Sequence, residues 1–232
     1  MLESLGPDIW IADGPVVDFY SFPYSTRMVL VRLADGALWA WSPIALTPEL
    51  EAEVRALGEV RHLIGPNKIH HLSLGAWQQA FPQAKLWGTW ELVKKRRDLA
   101  FDGKLGDIVP PEWLGEIDHY CFDNSAFIDE VDFFHRPSRT AIFADLTENF
   151  SRAFIDDNWK WWQRPIARAW KIVEPFGYAP LEMRASFRNR REARRKMLRL
   201  IAEKPERVVM AHGEIVRENG AEYLKRAFAW LL

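Results

Sequence analysis

The order of short apolar runs along the chain is what most limits its fold. "IWIA" (9–12), "RMVLVRL" (27–33) and "ALWAWSPIAL" (37–46) are apolar or alternating over strand lengths, and Gly, Pro or Asp-Gly separates them. "LADGAL" reads as a hairpin turn, because Asp-Gly supplies the positive φ values of a tight reversal. Thr47 then caps a helix, with Pro48 at its first position, Glu49 and Glu51 near its positive end and Gly58 closing it. "VRHLIG" (60–65) follows as a buried strand, "LSLGAWQQAF" (72–81) as a helix and "AKLWG" (84–88) as another strand.

Beyond a Gly- and Pro-rich linker (102–115) the pattern partly recurs. Strands are expected at 117–122, 130–135 and 140–145, a mostly helical region at about 159–203, a last strand at 207–212 and a last helix at 221–232. Two β-rich halves, each finished by helices, fit two sheets packed face to face with helices outside rather than one doubly wound parallel sheet. The expected fold is therefore α+β, a four-layer αββα sandwich. With 232 residues, 48% of them apolar, the chain is long enough to bury a full core and is expected to form one domain, 1–232.

A formal net charge of -1 calls for neither a nucleic acid nor an anionic membrane as partner. The lone cysteine, Cys121, rules out an intrachain disulfide and reads as a small buried residue in a reducing compartment. No apolar run approaches membrane-span length, and "MLESLGPDIW" lacks the basic and apolar regions of a signal peptide, so a soluble cytoplasmic protein is expected. Of the 12 tryptophans, those in "NWKWWQRPIARAW" (158–170) pack a long connection, line an apolar cleft or, as a third reading, mark a membrane-facing helix. The basic run 184–199 reads as a solvated helix whose stripe of Phe187, Ala193, Met197, Leu200 and Ile201 faces the core. Docking of an acidic partner or a phosphate is the alternative.

Imidazole and carboxylate suit zinc or iron, and such ligands most often project from strand ends on one edge of a sheet. His70 and His71 follow "VRHLIGP", Asp145 ends "TAIFAD" and His212 ends "RVVMAH". Each also has a plainer role open to it: paired histidines can cap a helix start, Asp145 can cap "DLTENF", and His212 can be a buried, hydrogen-bonded imidazole. His62, His119 and His135 read as structural.

The stretches "HHLSLGAWQQAFPQAKLWG", "FFHRPSRTAIFAD" and "VVMAHG", in this order, resemble a divergent branch of the metallo-β-lactamase-like superfamily. The resemblance spans almost the whole chain and rests on order and spacing more than on identity. It implies the αββα sandwich and a metal site along one edge. The superfamily loop is H-x-H-x-D-H, and setting its last histidine on His71 puts Pro66, Lys68 and His70 at the first His, second His and Asp positions. The loop "CFDNSAF" (121–127) lacks the further histidine of the same metal site. One of the two family sites is thus lost, and the other becomes His70, His71, Asp145 and His212. The implied cofactor is one zinc or iron ion, with Lys68 near the emptied first site and Asp145 and Lys68 as the catalytic residues.

Two functions follow. One is a single-metal hydrolase of an ester, thioester, lactone or phosphoester, in which Lys68 or a backbone N–H stabilises developing negative charge. Four protein ligands would close a tetrahedral site, so this requires one of them, His70 by expectation, to stay out. The other is a non-catalytic member that binds a small molecule or protein partner through the degenerate cleft. Neither a G-x-S-x-G elbow, a phosphate-binding glycine loop nor a dinucleotide fingerprint offers a third.

Overall fold

The computed structural model describes residues 1–123 and 125–232. The first sheet runs β1 (Glu3–Gly6), β2 (Ile9–Phe19), β3 (Phe22–Arg32), β4 (Leu38–Trp41), β5 (Val60–Gly65), β6 (Lys85–Gly88) and β7 (Gly103–Lys104), in spatial order identical to chain order. Its first four strands are antiparallel, and β4 to β7 are parallel. The second sheet is ordered β11 (Arg207–Met210), β10 (Thr140–Phe143), β9 (Glu130–His135), β8 (Ile117–Phe122), with only the β10–β11 pair parallel.

Alternation along the strands builds the layers. Trp39, Trp41, Val29 and Val31 from the first sheet meet Ile117, Phe133, Ile142 and Val209 from the second in one core between the sheets. The intervening residues Met28, Leu30, Leu38 and Ala40 turn outward onto α1 (Pro48–Leu57), α2 (Leu74–Ala80) and α3 (Trp90–Lys95). On the far side, Phe134, Phe143 and Met210 pack under α7 (Arg190–Ala202) and α8 (Gly220–Ala227). The result is the expected αββα sandwich, in which helices cover the outer faces of both sheets while the far end of β2 stays exposed.

Local sequence explains most boundaries. Thr47 Oγ1 accepts from the Leu50 amide to start α1, and Pro48 takes its first position, where no amide is needed. Gly36, at φ 86°, completes the turn between β3 and β4. Four short elements fall in stretches read as loop or linker: β1, α3, β7 and a 3-10 turn at Pro111–Trp113. The helical region begins earlier than expected and is broken into α4 (Arg152–Asn158), α5 (Arg164–Trp170), α6 (Leu181–Ser186) and α7. On α7 the buried residues are Ala193, Met197, Leu200 and Ile201, as the stripe required.

Two of the four tryptophans in the 158–170 cluster, Trp159 and Trp170, pack a connection, whereas Trp161 and Trp162 are exposed. Trp159 Nε1 donates to the Pro23 carbonyl at 2.7 Å, and Trp159 and Trp170 close on Phe22. The 152–173 segment thereby grips the β2–β3 hairpin from outside. Cys121 lies in the core between the sheets, where burial pushes its thiol up to about 12 and leaves it unreactive at neutral pH.

His62, His119 and His135 are buried. Burial pushes each down to about 4. His119 is fixed as a neutral tautomer: its Nε2 accepts from Trp113 Nε1 at 2.9 Å and its Nδ1 donates to the Gly106 carbonyl at 3.2 Å. An imidazole with a depressed folded pKa costs stability as pH falls from about 6.5 to about 4, because the unfolded chain takes the proton first. The stability advantage of wild type over His119→Gln, measured by urea unfolding, is therefore expected to shrink between pH 7 and pH 4.5.

Candidate metal centre

Parallel pairing of β10 and β11 brings two candidate ligands to one edge. Phe143 pairs with Met210, so Asp145 and His212 each lie two residues beyond the last rung on the same side of the sheet. From the first sheet, β5 ends at Gly65, where a Cβ would collide with the Leu92 side chain, and Pro66 turns the chain toward the same edge. The Pro66 carbonyl accepts from the Val131 amide at 3.0 Å, docking this loop on β9.

At that edge three side chains converge. His70 Nε2 is 3.2 Å from one Asp145 oxygen, His212 Nε2 is 3.2 Å from the other, and the three candidate ligand atoms all lie within 4.8 Å of one another. A tetrahedral ion with bonds of about 2.0 Å has ligand–ligand edges of about 3.3 Å, so the spacing fits zinc or iron. The outer nitrogens are held as second-shell groups usually hold metal-binding imidazoles. His212 Nδ1 donates to the Ser25 carbonyl at 2.6 Å, leaving Nε2 with its lone pair in the neutral ring. His70 Nδ1 shares a 2.7 Å hydrogen bond with the Ser42 hydroxyl, and its ring stacks at 28° to Trp41. His70 Nε2 is buried with no hydrogen-bond partner. Facing the Asp145 carboxylate at 3.2 Å, that nitrogen can be satisfied either by a ring proton shared with Asp145 or by a cation between them.

The supports of Asp145 were not foreseen from the sequence. Asn67, fully buried, donates through Nδ2 to Asp145 at 2.6 Å and to Glu130 at 2.9 Å, while its Oδ1 accepts from the Ile69 and His70 amides. Glu130 in turn accepts from the amides of Ala144, Asp145 and Leu146. Two signals were available: Asn after Gly-Pro favours a side-chain-to-backbone turn, and a glutamate in the apolar run "EVDFFH" is out of place unless bonded. Arg27 completes the frame, donating to the Met210 and Gly213 carbonyls on either side of His212.

Of the four expected ligands, the structure brings three, His70, Asp145 and His212, together. His71 stays out, because Arg96 Nη1 bonds its carbonyl at 2.8 Å and lies 3.2 Å from its Nδ1. Burial, with Lys95 and Arg96 nearby, pushes His71 down to about 4. It was His70 that the sequence put outside the set. With His70 as the last ligand of the loop, Gly65 and Asn67 fall at the first and second His positions and Ile69 at the Asp position. Lys68 does not face the cluster: it pairs with Glu91 at 3.0 Å and lies over Phe127. The loop 121–127 includes residue 124, which lies outside the described residues.

The three candidate ligands sit in the wall of a cavity of about 450 Å³. Its lining includes Phe19 and Tyr24 of the hairpin, Ile44, Leu72, Met183 and the carboxyl of Glu148. Burial, then the charge of Asp145, holds Glu148 well above the usual carboxylate range. Burial also acts to raise Asp145, but His70 and His212 outweigh it and hold that carboxyl well below its usual range. Replacing Asn67 by Ala leaves two buried carboxylates facing each other with a donor missing. A loss of about 1–3 kcal/mol is expected in urea unfolding, against less than about 0.5 kcal/mol for the neighbouring Lys68→Ala.

Comparison with solved structures bears out the fold. The metallo-β-lactamase from Pontibacter korlensis superposes with a TM-score of 0.63 at 12% identity, over 100% of this chain and 98% of that one. The mono-zinc form of the metallo-β-lactamase FIM-1 from Pseudomonas aeruginosa gives 0.63 at 9% identity, over 100% and 94%. A metallo-β-lactamase from Erythrobacter litoralis gives 0.63 at 11%, over 99% and 95%. No curated protein matches the sequence significantly. One family model matches residues 8–156, a span that reaches from β2 through Asp145 to α4. With that span matched, the chain belongs to the family described as a domain of unknown function, DUF4336, and carries it on a metallo-β-lactamase-like fold.

Proposed function

We propose that the protein is a single-metal hydrolase whose ion is held by His70, Asp145 and His212. The observation that carries this is the trio itself: three ligand atoms within 4.8 Å of one another, in the wall of a cavity large enough for a small molecule. Three protein ligands leave a fourth position open, the arrangement of catalytic rather than structural zinc. The mono-zinc neighbour FIM-1 shares the fold and agrees with a site for one ion.

When bound, a divalent cation would supply a Lewis acid to polarise a carbonyl and to activate water. The chain's own residues do the rest. Ser25 and Ser42 fix the two imidazoles with Nε2 inward, and Asn67 holds the Asp145 carboxylate. Glu148, on the cavity wall, is placed to exchange a proton with a leaving group. Lys68 has no part in this scheme, because Glu91 already engages its ammonium.

Elemental analysis of tag-free protein is expected to find about one equivalent of zinc or iron, lost in His70→Ala and in His212→Ala and kept in His71→Ala. Turnover of small esters should follow the metal. Folded wild-type protein that takes up no metal would overturn the proposal and leave a binding role for the cavity.

A further inference from the structure

Charge along this chain is segregated. Residues 184–199 carry eight lysines and arginines against one acid, Glu192, whereas the rest of the chain carries 23 basic and 31 acidic residues. The formal net charge of -1 therefore hides a strongly basic stretch beside an acidic remainder.

Helix α7 puts that excess on one face. Its apolar stripe is buried against the outer side of the second sheet, while Arg190, Arg191, Arg194, Arg195 and Arg199 are exposed, with Leu198 the one apolar residue among them. At about 100° per residue these positions span roughly half of the helix circumference. The acids nearby are engaged by other cations. Lys196, at the margin of the face, holds Asp107, Asp123 and Glu192 at 3.4, 3.6 and 3.3 Å, and Arg136 holds Asp118 and Glu203. Among the described residues none of the five arginines makes an ion pair. Arg190 and Arg195 each give one N–H to a backbone carbonyl, which leaves their charge and their other donors free. Three pairs, Arg190 with Arg194, Arg191 with Arg195 and Arg195 with Arg199, repel one another at the (i, i+4) spacing, and nothing in the fold offsets that cost.

We infer that the exposed face of α7 docks on double-stranded DNA, its arginines meeting phosphates on both sides of a groove. Arginine fills every exposed basic position of the helix, and its planar fork matches phosphate oxygens in a way lysine does not. A spread over half the circumference suits a concave polyanion with charge on two sides, whereas an acidic helix or a flat bilayer would reach one line of it. The apolar stripe is consumed by the core, so α7 has no apolar face to insert into a lipid surface. A helix of 13 residues is about 20 Å long, and that length of duplex presents roughly a dozen phosphates. The major groove of B-form DNA, about 12 Å wide, has room for a helix, and the deep, narrow one of duplex RNA does not. The acidic remainder of the chain repels the same backbone and so directs docking to this face. The docking uses no residue of the metal centre and stands apart from the proposed hydrolase.

Fluorescence anisotropy of a labelled mixed-sequence DNA duplex of about 20 base pairs, titrated with full-length protein between about 50 and 200 mM salt, tests this. Five phosphate contacts give a log–log salt slope of about 4.5, so binding is expected to weaken roughly 500-fold over that range. The double variant Arg191→Ala, Arg195→Ala should lower the slope by about 2 and weaken binding at least tenfold at the lowest salt. The double variant Arg191→Lys, Arg195→Lys should keep the slope, and Arg168→Ala, exposed but outside α7, should leave both quantities unchanged. No binding at the lowest salt, or an alanine double variant with the wild-type slope, would overturn the inference. Tighter binding to duplex RNA of the same sequence, to phosphatidylglycerol vesicles or to polyglutamate would overturn it in favour of that partner. Self-association by light scattering without DNA, lost in the alanine double variant, would overturn it by assigning the arginines to a second copy of the chain.

Discussion

One buried carboxylate organises the edge on which everything else depends. Glu130 sits at the start of β9, fully removed from water, and accepts from three consecutive amides of the turn after β10 and from Asn67. Isolated in an apolar interior, a carboxylate is prohibitively costly, so its oxygens must be surrounded by donors. Meeting that demand forces residues 144–146 into a turn with their amides pointing back at β9. The turn then has no choice about where Asp145 projects. Asn67 relays the same constraint across the sandwich, since one amide side chain holds both carboxylates and its oxygen takes the Ile69 and His70 amides.

The three candidate ligands are thus held by the joint between the sheets. His212 stands on the second sheet but is aimed by Ser25 of β3, and Arg27 of the same strand ties the carbonyls on either side of it. Asp145 belongs to the second sheet and is held by a loop of the first. His70 belongs to the first and reaches across to Asp145. Groups positioned from regular strands in this way are located more precisely than groups on free loops. The trio keeps its spacing because separating its members requires the two sheets to slide.

Much of the architecture was legible because period and punctuation agree with tertiary structure. The strands 117–122 and 130–135 were read to the residue, and α1 was bounded by its Thr47 cap and Gly58. Short elements such as β7 and α3 were not, since two to six residues carry too little periodicity to stand out from a linker. Within the site, adjacency hid the choice between His70 and His71. Neighbouring residues in a turn point in different directions, and which one faces Asp145 is decided by Ser42, Trp41 and Arg96, residues 25 to 29 positions away. Asn67 and Glu130 were missed for the same reason, because their partners lie 63 and 78 positions from Asn67.

The hairpin of β2 and β3 does two jobs with different residues: Ser25 and Arg27 of β3 help aim His212, whereas the end of β2 shapes the cavity. Phe19 and Tyr24 wall the cavity near one end of the hairpin, Trp159 and Gln163 clamp that end from outside, and none of the three ligands stands on it. Substitutions between Pro15 and Phe19 therefore alter what the cavity admits without disturbing the bonds that aim His70, Asp145 and His212. The residues that shape this end of the cavity are thus distinct from those that aim the His70, Asp145 and His212 cluster, so the cavity wall can vary while the cluster's frame is kept.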